Sequence, residues 1–545
     1  MSDKYFIIGI GGTGMRCIEA FTHLCAIGMF DNKEIDILSI DTDTNNGNKG
    51  RSEQLIDRYI RIKGGKQGKP TANSFFTAKL NLYKFAPEYS GSRLTYELIS
   101  NLNVGKDEVK RENRALSDLF FDKEVQGFNL DHGYRAQTHL GSHLMYHCII
   151  EAARNVKDGK TRKEDREISE FLDKIYQAGE NARVFILGSV FGGTGASSIP
   201  IIPKALRDAI RIKDKNAEIH PKAMFACSLL TEYFNFNVPD GNQKKEQKII
   251  ADSNNFSRNS QAALMFYQDD KTVNSTYKRM YHIGWPKKIN FSQGDNSNKT
   301  ITGGGEQKNP SHVTELLSAC AVYDFFNLPQ SDEQQEIVYK SANFLNNSFY
   351  FEFQDFLGAD KSKEYMNKLG SFIALSHIIL NSEKGAFVGQ NGTRNLVNQF
   401  KKNNIPDYIH LPDEETKDID DFIKSFAFFY DDKSNVIPGW IFQVRQSVDG
   451  PFLFNSDSFS MEQNKLKEFH FGKLFDDEAH QFANHKFSIK AKDRNPYEAF
   501  RETIQTDTKV RPDSQNQKVE RDNEKFLAHT YNTLTKLFNI MGDKV

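Results

Sequence analysis

Two glycine-rich turns are the parts of this 545-residue chain best suited to binding chemistry. Each follows an apolar run and precedes a helical pattern. Glycine lets the backbone approach a ligand closely, and the first N–H groups of the following helix point toward it. We therefore predict that both turns bind an anion, through Gly11, Gly12, Thr13 and Gly14 in the first and through Gly192, Gly193, Thr194 and Gly195 in the second.

The chemistry of these turns leaves two kinds of ligand open. No lysine follows the second turn, so it is not the G-x-x-x-x-G-K-[ST] loop of a P-loop NTPase. The first turn alone matches the dinucleotide fingerprint, with Asp41 available for an adenosine ribose, which would suit an NAD-dependent oxidoreductase. That alternative leaves the second turn unexplained and lacks a plausible acid–base pair. Two anion-binding turns on one sheet edge suit the triphosphate of a mononucleotide better.

The turns need a parallel sheet to hold them at one edge. Nearly continuous apolar runs predict strands at Tyr5–Ile10, Glu34–Asp41, Ala223–Leu230 and Arg279–Trp285. A further strand is expected to begin at Val184 and to end at the second glycine turn. Continuous apolar strands are typical of parallel sheets covered by helices on both faces. The expected fold class is therefore α/β, with a Rossmann-like parallel sheet.

The pair of turns resembles the tubulin and FtsZ family. Members of that family carry Gly-Val-Gly-Gly-Gly-Gly after the first strand and Gly-Gly-Gly-Thr-Gly-[Ser/Thr]-Gly after a later one. Here the first turn is Gly9-Ile-Gly-Gly-Thr-Gly14 and the second is Phe191-Gly-Gly-Thr-Gly-Ala-Ser197. The resemblance covers roughly residues 4 to 335. It implies a nucleotide-binding domain of tubulin/FtsZ type, a central core helix and a second α+β domain, with GTP or GDP and Mg²⁺ as ligands.

The same resemblance implies further site residues. Asp41-Thr42-Asp43 looks like the Asn-Thr-Asp that closes the second strand in FtsZ, and Gly133 to Gly141 occupies the place of a third phosphate-facing loop. Asn259 looks like the helix asparagine that contacts guanine. Arg16 stands where FtsZ has a base-contacting asparagine, so it is expected to reach either the base or a phosphate. Thr13 and Phe191 each replace a family glycine, which indicates a divergent branch.

The resemblance also implies how hydrolysis would occur. In the family, an acidic residue after the core helix positions water against the nucleotide of the neighbouring subunit. The segment Asn327-Leu-Pro-Gln-Ser-Asp332 resembles the family's Asn-Leu-Asp-Phe-Ala-Asp, which makes Asp332 and Asn327 the catalytic candidates. The alternative is a polar helix exit in which Asp332 caps the next helix. Head-to-tail stacking of this kind produces filaments or rings.

These expectations divide the chain into four parts. Residues 1–310 form the GTP-binding domain with an insertion at 44–125, and residues 311–335 form the core helix and catalytic loop. Residues 336–500 form a second α+β domain, and residues 501–545 form a linker and an amphipathic helix. The polar loop 287–310, with its Gly303-Gly-Gly305, is expected to be a flexible link.

Composition limits the partners and the compartment. A net charge of −1 gives no strong field for nucleic acid or a membrane surface. The five cysteines are scattered without a C-x-x-C pair, and no signal segment begins the chain, so a cytoplasmic protein is expected. The expected partner is the protein itself. A switch or scaffold that binds GTP without polymerising remains the alternative, with partner contacts in 44–125 or the C-terminal region.

Overall fold

The computed structural model describes most of the chain. The described residues are 2–87, 95–99, 108–130, 133–134, 138–160, 162–236, 251–291, 303–329, 335–345, 347–380, 411–431, 433–445, 453–456, 462–468 and 521–537. The strands are β1 (Lys4–Ile10), β2 (Glu34–Ile40), β3 (Lys79–Phe85), β4 (Ala182–Ser189), β5 (Met224–Leu230), β6 (Phe234–Asn235), β7 (Tyr277–Ile283), β8 (Ile289–Asn290), β9 (Glu336–Lys340), β10 (Asn343–Leu345), β11 (Ser348–Phe351), β12 (Phe428–Tyr430), β13 (Val436–Pro438), β14 (Val444–Arg445) and β15 (Leu453–Asn455).

The α-helices surround these strands. They are α1 (Gly11–Ala26), α2 (Gly47–Ile62), α3 (Tyr96–Ile99), α4 (Glu108–Phe120), α5 (Lys123–Gln126), α6 (Thr138–Lys157), α7 (Lys163–Ala178), α8 (Thr194–Ser198), α9 (Ile202–Lys213), α10 (Phe256–Asp269), α11 (Lys271–Thr276), α12 (Val313–Phe326), α13 (Gln354–Leu380), α14 (Asp413–Ala427), α15 (Gln463–Lys467) and α16 (Asp522–Leu537). Helix α13 is kinked at Gly358, where φ is 71°.

Seven strands form one parallel sheet in the order β3-β2-β1-β4-β5-β7-β9. From β1 the chain moves outward to β2 and β3, and from β4 it moves outward in the opposite direction. The order therefore reverses between β1 and β4. The expected α/β fold with a Rossmann-like parallel sheet is confirmed.

Helices cover both faces of this sheet because alternate residues of each strand point to opposite sides. In β1, Phe6, Ile8 and Ile10 belong to one core cluster and Ile7 to the other. The first cluster includes residues of α6, α7 and α9, and the second includes residues of α1, α2 and α12. A sheet buried on both sides explains why its central strands are apolar at nearly every position.

The segment 44–125 is not an insertion throughout, and this corrects our expectation. Residues 47–62 form α2, and residues 79–85 form β3, which pairs with β2 at the sheet edge. Strand β3 was difficult to predict because it is an edge strand with Lys79, Asn81 and Lys84 among its residues. Polar residues are favoured on such an edge, so the run loses its apolar continuity.

The core helix lies close to its expected position. It was expected within residues 311–335 and spans Val313–Phe326, with Tyr323 and Asp324 as its two incompletely buried residues. The region after it is more closely joined to the sheet than expected. Strand β9 pairs in parallel with β7, so residues 336–340 belong to the central sheet and not to a second domain.

The later helices pack on the same face as the core helix. Helix α14 contacts α2, and α16 contacts α13. Their buried residues, such as Phe422 and Phe526, join the core cluster that contains α1 and α12. A separate antiparallel sheet, β10-β11-β15-β14, accompanies them. The domain boundaries at 310 and 500 stay predictions.

Candidate functional site

A cleft opens at the carboxyl ends of β1 and β4, with about 820 Å³ of empty space that includes its opening to solvent. This is the point at which the strand order reverses, where open parallel sheets bind their ligands. Both glycine turns line it. The lining comprises Ile10, Gly11, Gly12, Thr13, Arg16, Asp41, Asp43, Asn46, Asn48, Gly133, Tyr134, Ser189, Phe191, Gly192, Gly193, Thr194, Gly195, Phe234, Phe236, Ala251, Phe256, Gln307 and Asn309.

The glycines of the two turns have different structural roles. Gly11 has a φ of +65°, a conformation that favours glycine, and an added Cβ there would lie 3.2 Å from the Cβ of Thr194. The two turns are thus in contact. Gly14 does not line the cleft, since its added Cβ would lie 2.4 Å from the carbonyl oxygen of Leu187. Gly14 therefore lets α1 pack closely against β4, as the third glycine of a dinucleotide fingerprint does.

Helix α1 directs its N-terminus at the cleft. It begins at Gly11, and its N-cap residue Ile10 provides no side-chain hydrogen bond to the first turn. The first N–H groups of a helix lack intrahelical acceptors and carry the positive end of the helix dipole. With the hydroxyl groups of Thr13 and Thr194 beside it, this end of the cleft is suited to an anion.

Asp41 and Asp43 form a buried carboxylate pair beside the turns, each 2% exposed. Asp41 Oδ1 accepts a 3.2 Å hydrogen bond from the Asp43 backbone N–H, and Asp43 Oδ2 accepts one of 2.7 Å from Gly304. Asp43 Oδ1 has no hydrogen-bond partner among the described residues. Burial, and then the charge of Asp43, raise the pKa of Asp41 to about 7. This pair is suited to ribose hydroxyl groups or a hydrated cation.

The raised pKa of Asp41 makes stability depend on pH. An unfolded aspartate ionises near pH 3.9, so the stability linked to neutral Asp41 is lost as pH rises from about 4 to about 7. We expect Asp41→Asn to stabilise the ligand-free protein by about 4 kcal/mol at pH 8 and by less than half of that at pH 5. Urea unfolding at both pH values measures this. The exposed Asp360→Asn is the control, and equal effects of Asp41→Asn at both pH values would contradict the buried-pair account.

Arg16 lies one turn into α1 and is buried in a charged network. Its side chain is 1% exposed, its Nε lies 3.1 Å from Glu315 Oε1, and its Nη2 donates to the Tyr233 hydroxyl. Tyr233 in turn donates a 2.7 Å hydrogen bond to Glu315. Burial raises the pKa of Glu315. The buried Nη1 of Arg16 has no hydrogen-bond partner among the described residues.

Aromatic side chains form the wall of the cleft next to Arg16. Its guanidinium carbon lies 5.2 Å from the Phe234 ring centroid. Phe191 packs in the same group, with its centroid 4.9 Å from that of Phe256 and 5.4 Å from that of Phe234. Phe191, which replaces a glycine of the family pattern, is thus part of an aromatic wall. Such a wall is suited to stacking a planar ring.

Several predicted residues lie elsewhere. Asn259 is absent from the cleft lining, and its Nδ2 donates a 3.2 Å hydrogen bond to the Phe191 carbonyl, so it holds the second turn. Asn327 ends α12 with an exposed side chain that donates to the Tyr323 carbonyl at 2.7 Å. Asp332 falls outside the described residues. From the predicted third loop, Gly133 lines the cleft, as does Tyr134.

A group of amide side chains lines the cleft although the sequence analysis did not predict them as site residues. Asn46 Nδ2 donates to Gln307 Oε1 at 2.6 Å, and Asn48 exchanges two 2.8 Å hydrogen bonds with Asn309. Residues 303–309, expected to be a flexible link, therefore form a hydrogen-bonded wall of the site. The concentration of amides in both segments was the available signal, but nothing in the sequence joins positions 261 residues apart.

In the described part of the chain, no three histidine, cysteine or acidic side chains are grouped to hold a metal ion. Among the described helices, none has the length and apolar character needed to cross a membrane.

The fold and site define an α/β protein with a ligand cleft at the switch point of a parallel sheet. No protein-family model matches the chain, and no curated protein matches it. A solved structure, CetZ from Methanosaeta thermophila, aligns with 11% sequence identity and a TM-score of 0.21. The alignment covers 52% of this chain and 46% of CetZ, so the chain spans less than half of that protein. A match this weak defines neither a fold nor a family.

Proposed function

We propose that the protein is a tubulin-like GTPase that binds GTP in the switch-point cleft and self-associates head to tail. The observation that carries this proposal is the meeting of both glycine turns around one cleft, together with Asp41, Asp43 and Arg16. A single turn would suffice for a dinucleotide. Two turns in contact, through Gly11 and Thr194, offer enough backbone and hydroxyl donors for a chain of phosphates.

Guanine is favoured over adenine by the free donor on Arg16. Guanine presents two acceptors, O6 and N7, on the edge where adenine presents an amino group beside N7. Arg16 Nη1 has no partner among the described residues and adjoins the aromatic wall that would stack the base. A fixed guanidinium donor attracts the guanine O6 and opposes the adenine amino group. Arg16 therefore takes over, in a different way, the base contact that the resemblance assigns to asparagine.

Magnesium would be held by the carboxylate pair and the phosphates together. Mg²⁺ keeps several water ligands and is commonly bound by one or two carboxylates plus substrate phosphates. Asp43 Oδ1, which lacks a partner among the described residues, is available for such a contact. The ion would neutralise phosphate charge in a site whose lining residues include no lysine.

Hydrolysis is assigned to a contact between subunits. Asp332, after the core helix, would position water against the nucleotide held by the next subunit, and Asn327 would help to shape that contact. A heterologous contact of this type repeats, so it generates filaments or rings.

Three measurements on the purified protein test the proposal. The nucleotide released on denaturation is identified by chromatography, phosphate release is followed after GTP addition, and polymer is collected by sedimentation. We expect GDP or GTP, slow phosphate release that rises with protein concentration, and pelleting with GTP. Copurified NAD would overturn the nucleotide assignment. Binding of GTP without polymer or phosphate release would favour the switch or scaffold function.

Replacing Asp332 tests catalysis across the contact. We expect Asp332→Ala to keep GTP affinity within about twofold and to slow phosphate release at least 100-fold, as loss of a water-positioning group does. Mixing it with a variant whose cleft is blocked by Gly193→Trp should restore activity, because each supplies the half-site that the other lacks. Activity no greater than the sum of the two separate variants would contradict a shared site.

A further inference from the structure

A second cleft lies next to the first, with about 1,200 Å³ of empty space that includes its opening to solvent. The hydrogen-bonded amides Asn46, Asn48, Gln307 and Asn309, here called the amide wall, lie between the two clefts. The second cleft is formed by α2, the 44–47 loop, Lys308 and the end of α14 with strand β12. Asn46 lines both clefts. The proposed nucleotide function makes no use of this second cleft.

One side of the second cleft is aromatic. Phe428, Phe429 and Tyr430 line it, and the Tyr430 side chain is 56% exposed. The Arg51 guanidinium carbon lies 3.7 Å from the Phe429 ring centroid, so that ring is already stacked on one face. Exposed tyrosine beside a stacked phenylalanine offers a surface for a planar ring. This side would bind the flat portion of a ligand.

The polar side of the cleft is rich in cationic groups. Four cationic residues line it, Arg51, Arg58, Lys308 and Lys424, against two acidic residues, Glu19 and Asp421. Arg58 and Lys424 both contact Asp421, at 3.5 Å and 3.7 Å, with all three side chains partly exposed. Exposed ion pairs of this length contribute little, so a doubly charged anion can compete for both cations.

Arg51 connects this cleft to the first one. Its Nε pairs with Glu19 at 2.7 Å, and its Nη1 donates a 2.8 Å hydrogen bond to the carbonyl of Asn309, which lines the first cleft. Its buried Nη2 has no hydrogen-bond partner among the described residues. A ligand that accepts a hydrogen bond from Nη2 would therefore bind the same guanidinium group that contacts Asn309 in the amide wall.

We propose that the second cleft is a separate binding site for a phosphorylated planar ring compound, with Tyr430 stacking the ring and Arg58 and Lys424 binding the phosphate. The ligand class follows from the pairing of one aromatic side with one cationic side in a cleft large enough for a nucleoside monophosphate. Arg51 and Asn309 join this site to the first cleft through one hydrogen bond.

Titration calorimetry with AMP as the probe tests the site. The full-length protein is first saturated with GDP, and we expect one equivalent of AMP to bind in addition. Adenosine or inorganic phosphate alone should bind at least tenfold more weakly, since each engages one side of the cleft. Gly193→Trp protein, whose first cleft is blocked, should bind AMP with unchanged affinity. That result is expected whether or not the first cleft binds GTP.

Matched variants locate the binding. Tyr430→Ala and Lys424→Gln should each weaken AMP binding at least fivefold. Lys417→Gln makes the same charge change on an exposed position of the same helix, outside the cleft lining, and should leave the affinity within twofold. No AMP binding by either the GDP-saturated or the Gly193→Trp protein would overturn the proposal. Equal affinity in Tyr430→Ala, Lys424→Gln and Lys417→Gln proteins would also overturn it.

Discussion

Replacing Gly193 with tryptophan should lower nucleotide affinity at least 100-fold while leaving the protein folded. Gly193 lines the first cleft, and its φ of −78° and ψ of −60° are open to any L-residue. The variant therefore carries no backbone strain, and the indole ring occupies space that phosphates would need. A 100-fold loss corresponds to about 2.7 kcal/mol. Fluorescent GDP binding and thermal unfolding, measured on the same sample, separate lost affinity from lost structure.

Gly127→Trp is the matched control for this prediction. Gly127 is exposed, has a φ of −87°, and would bring its added Cβ no closer than 3.4 Å to another atom. Gly127 lies outside the cleft lining, so the Gly127→Trp protein should bind nucleotide with the affinity of the unmodified protein. Unchanged GDP affinity in Gly193→Trp protein would show that the second turn is a structural turn without a ligand.

Arg16→Met should destabilise the protein by about 3 to 5 kcal/mol, the usual cost of removing one partner of a buried ion pair. Arg16 and Glu315 are each 1% exposed, and the substitution leaves Glu315 with Tyr233 and the His312 N–H as partners. Burial already raises the pKa of Glu315. Protonation of the unpaired Glu315 reduces the loss, so the destabilisation should be larger at pH 8 than at pH 5.

A double-mutant cycle isolates the pair. Glu315→Gln alone should also be costly, whereas Arg16→Met combined with Glu315→Gln should recover at least 1 kcal/mol relative to additive behaviour. Arg61→Met is the control, because Arg61 pairs with Asp418 at 2.7 Å but is 56% exposed, and its loss should cost less than about 1 kcal/mol. Additive effects in the cycle, measured by urea unfolding, would contradict a coupled pair.

The same Arg16→Met protein tests the base contact. Loss of a donor to guanine is worth about 1 to 3 kcal/mol of discrimination, so the preference for GDP over ADP should fall at least fivefold. Competition binding with both nucleotides measures the ratio. An unchanged ratio would assign Arg16 to the folded framework alone.

The central strands and both glycine turns could be predicted from the sequence alone. Local features carry these elements: strands buried on both faces are apolar throughout, and a turn that requires the φ of Gly11 accepts few residues besides glycine. The core helix could also be predicted, because a helix that is buried on nearly all sides, as Val313–Phe326 is, has a strongly apolar sequence. Strand β3 and helix α2 were hidden because edge strands and surface helices mix polar and apolar residues.

Which distant residues share a cleft depends on how the helices and loops pack around the sheet. Arg16 and Glu315 meet because α1 packs against α12, and Asn48 and Asn309 meet although 261 positions separate them. Asn259 carried the right residue type for a base contact, yet its helix directs it to the Phe191 carbonyl. The sequence gives the chemical type of each side chain, whereas the residues that it contacts are set by the tertiary packing.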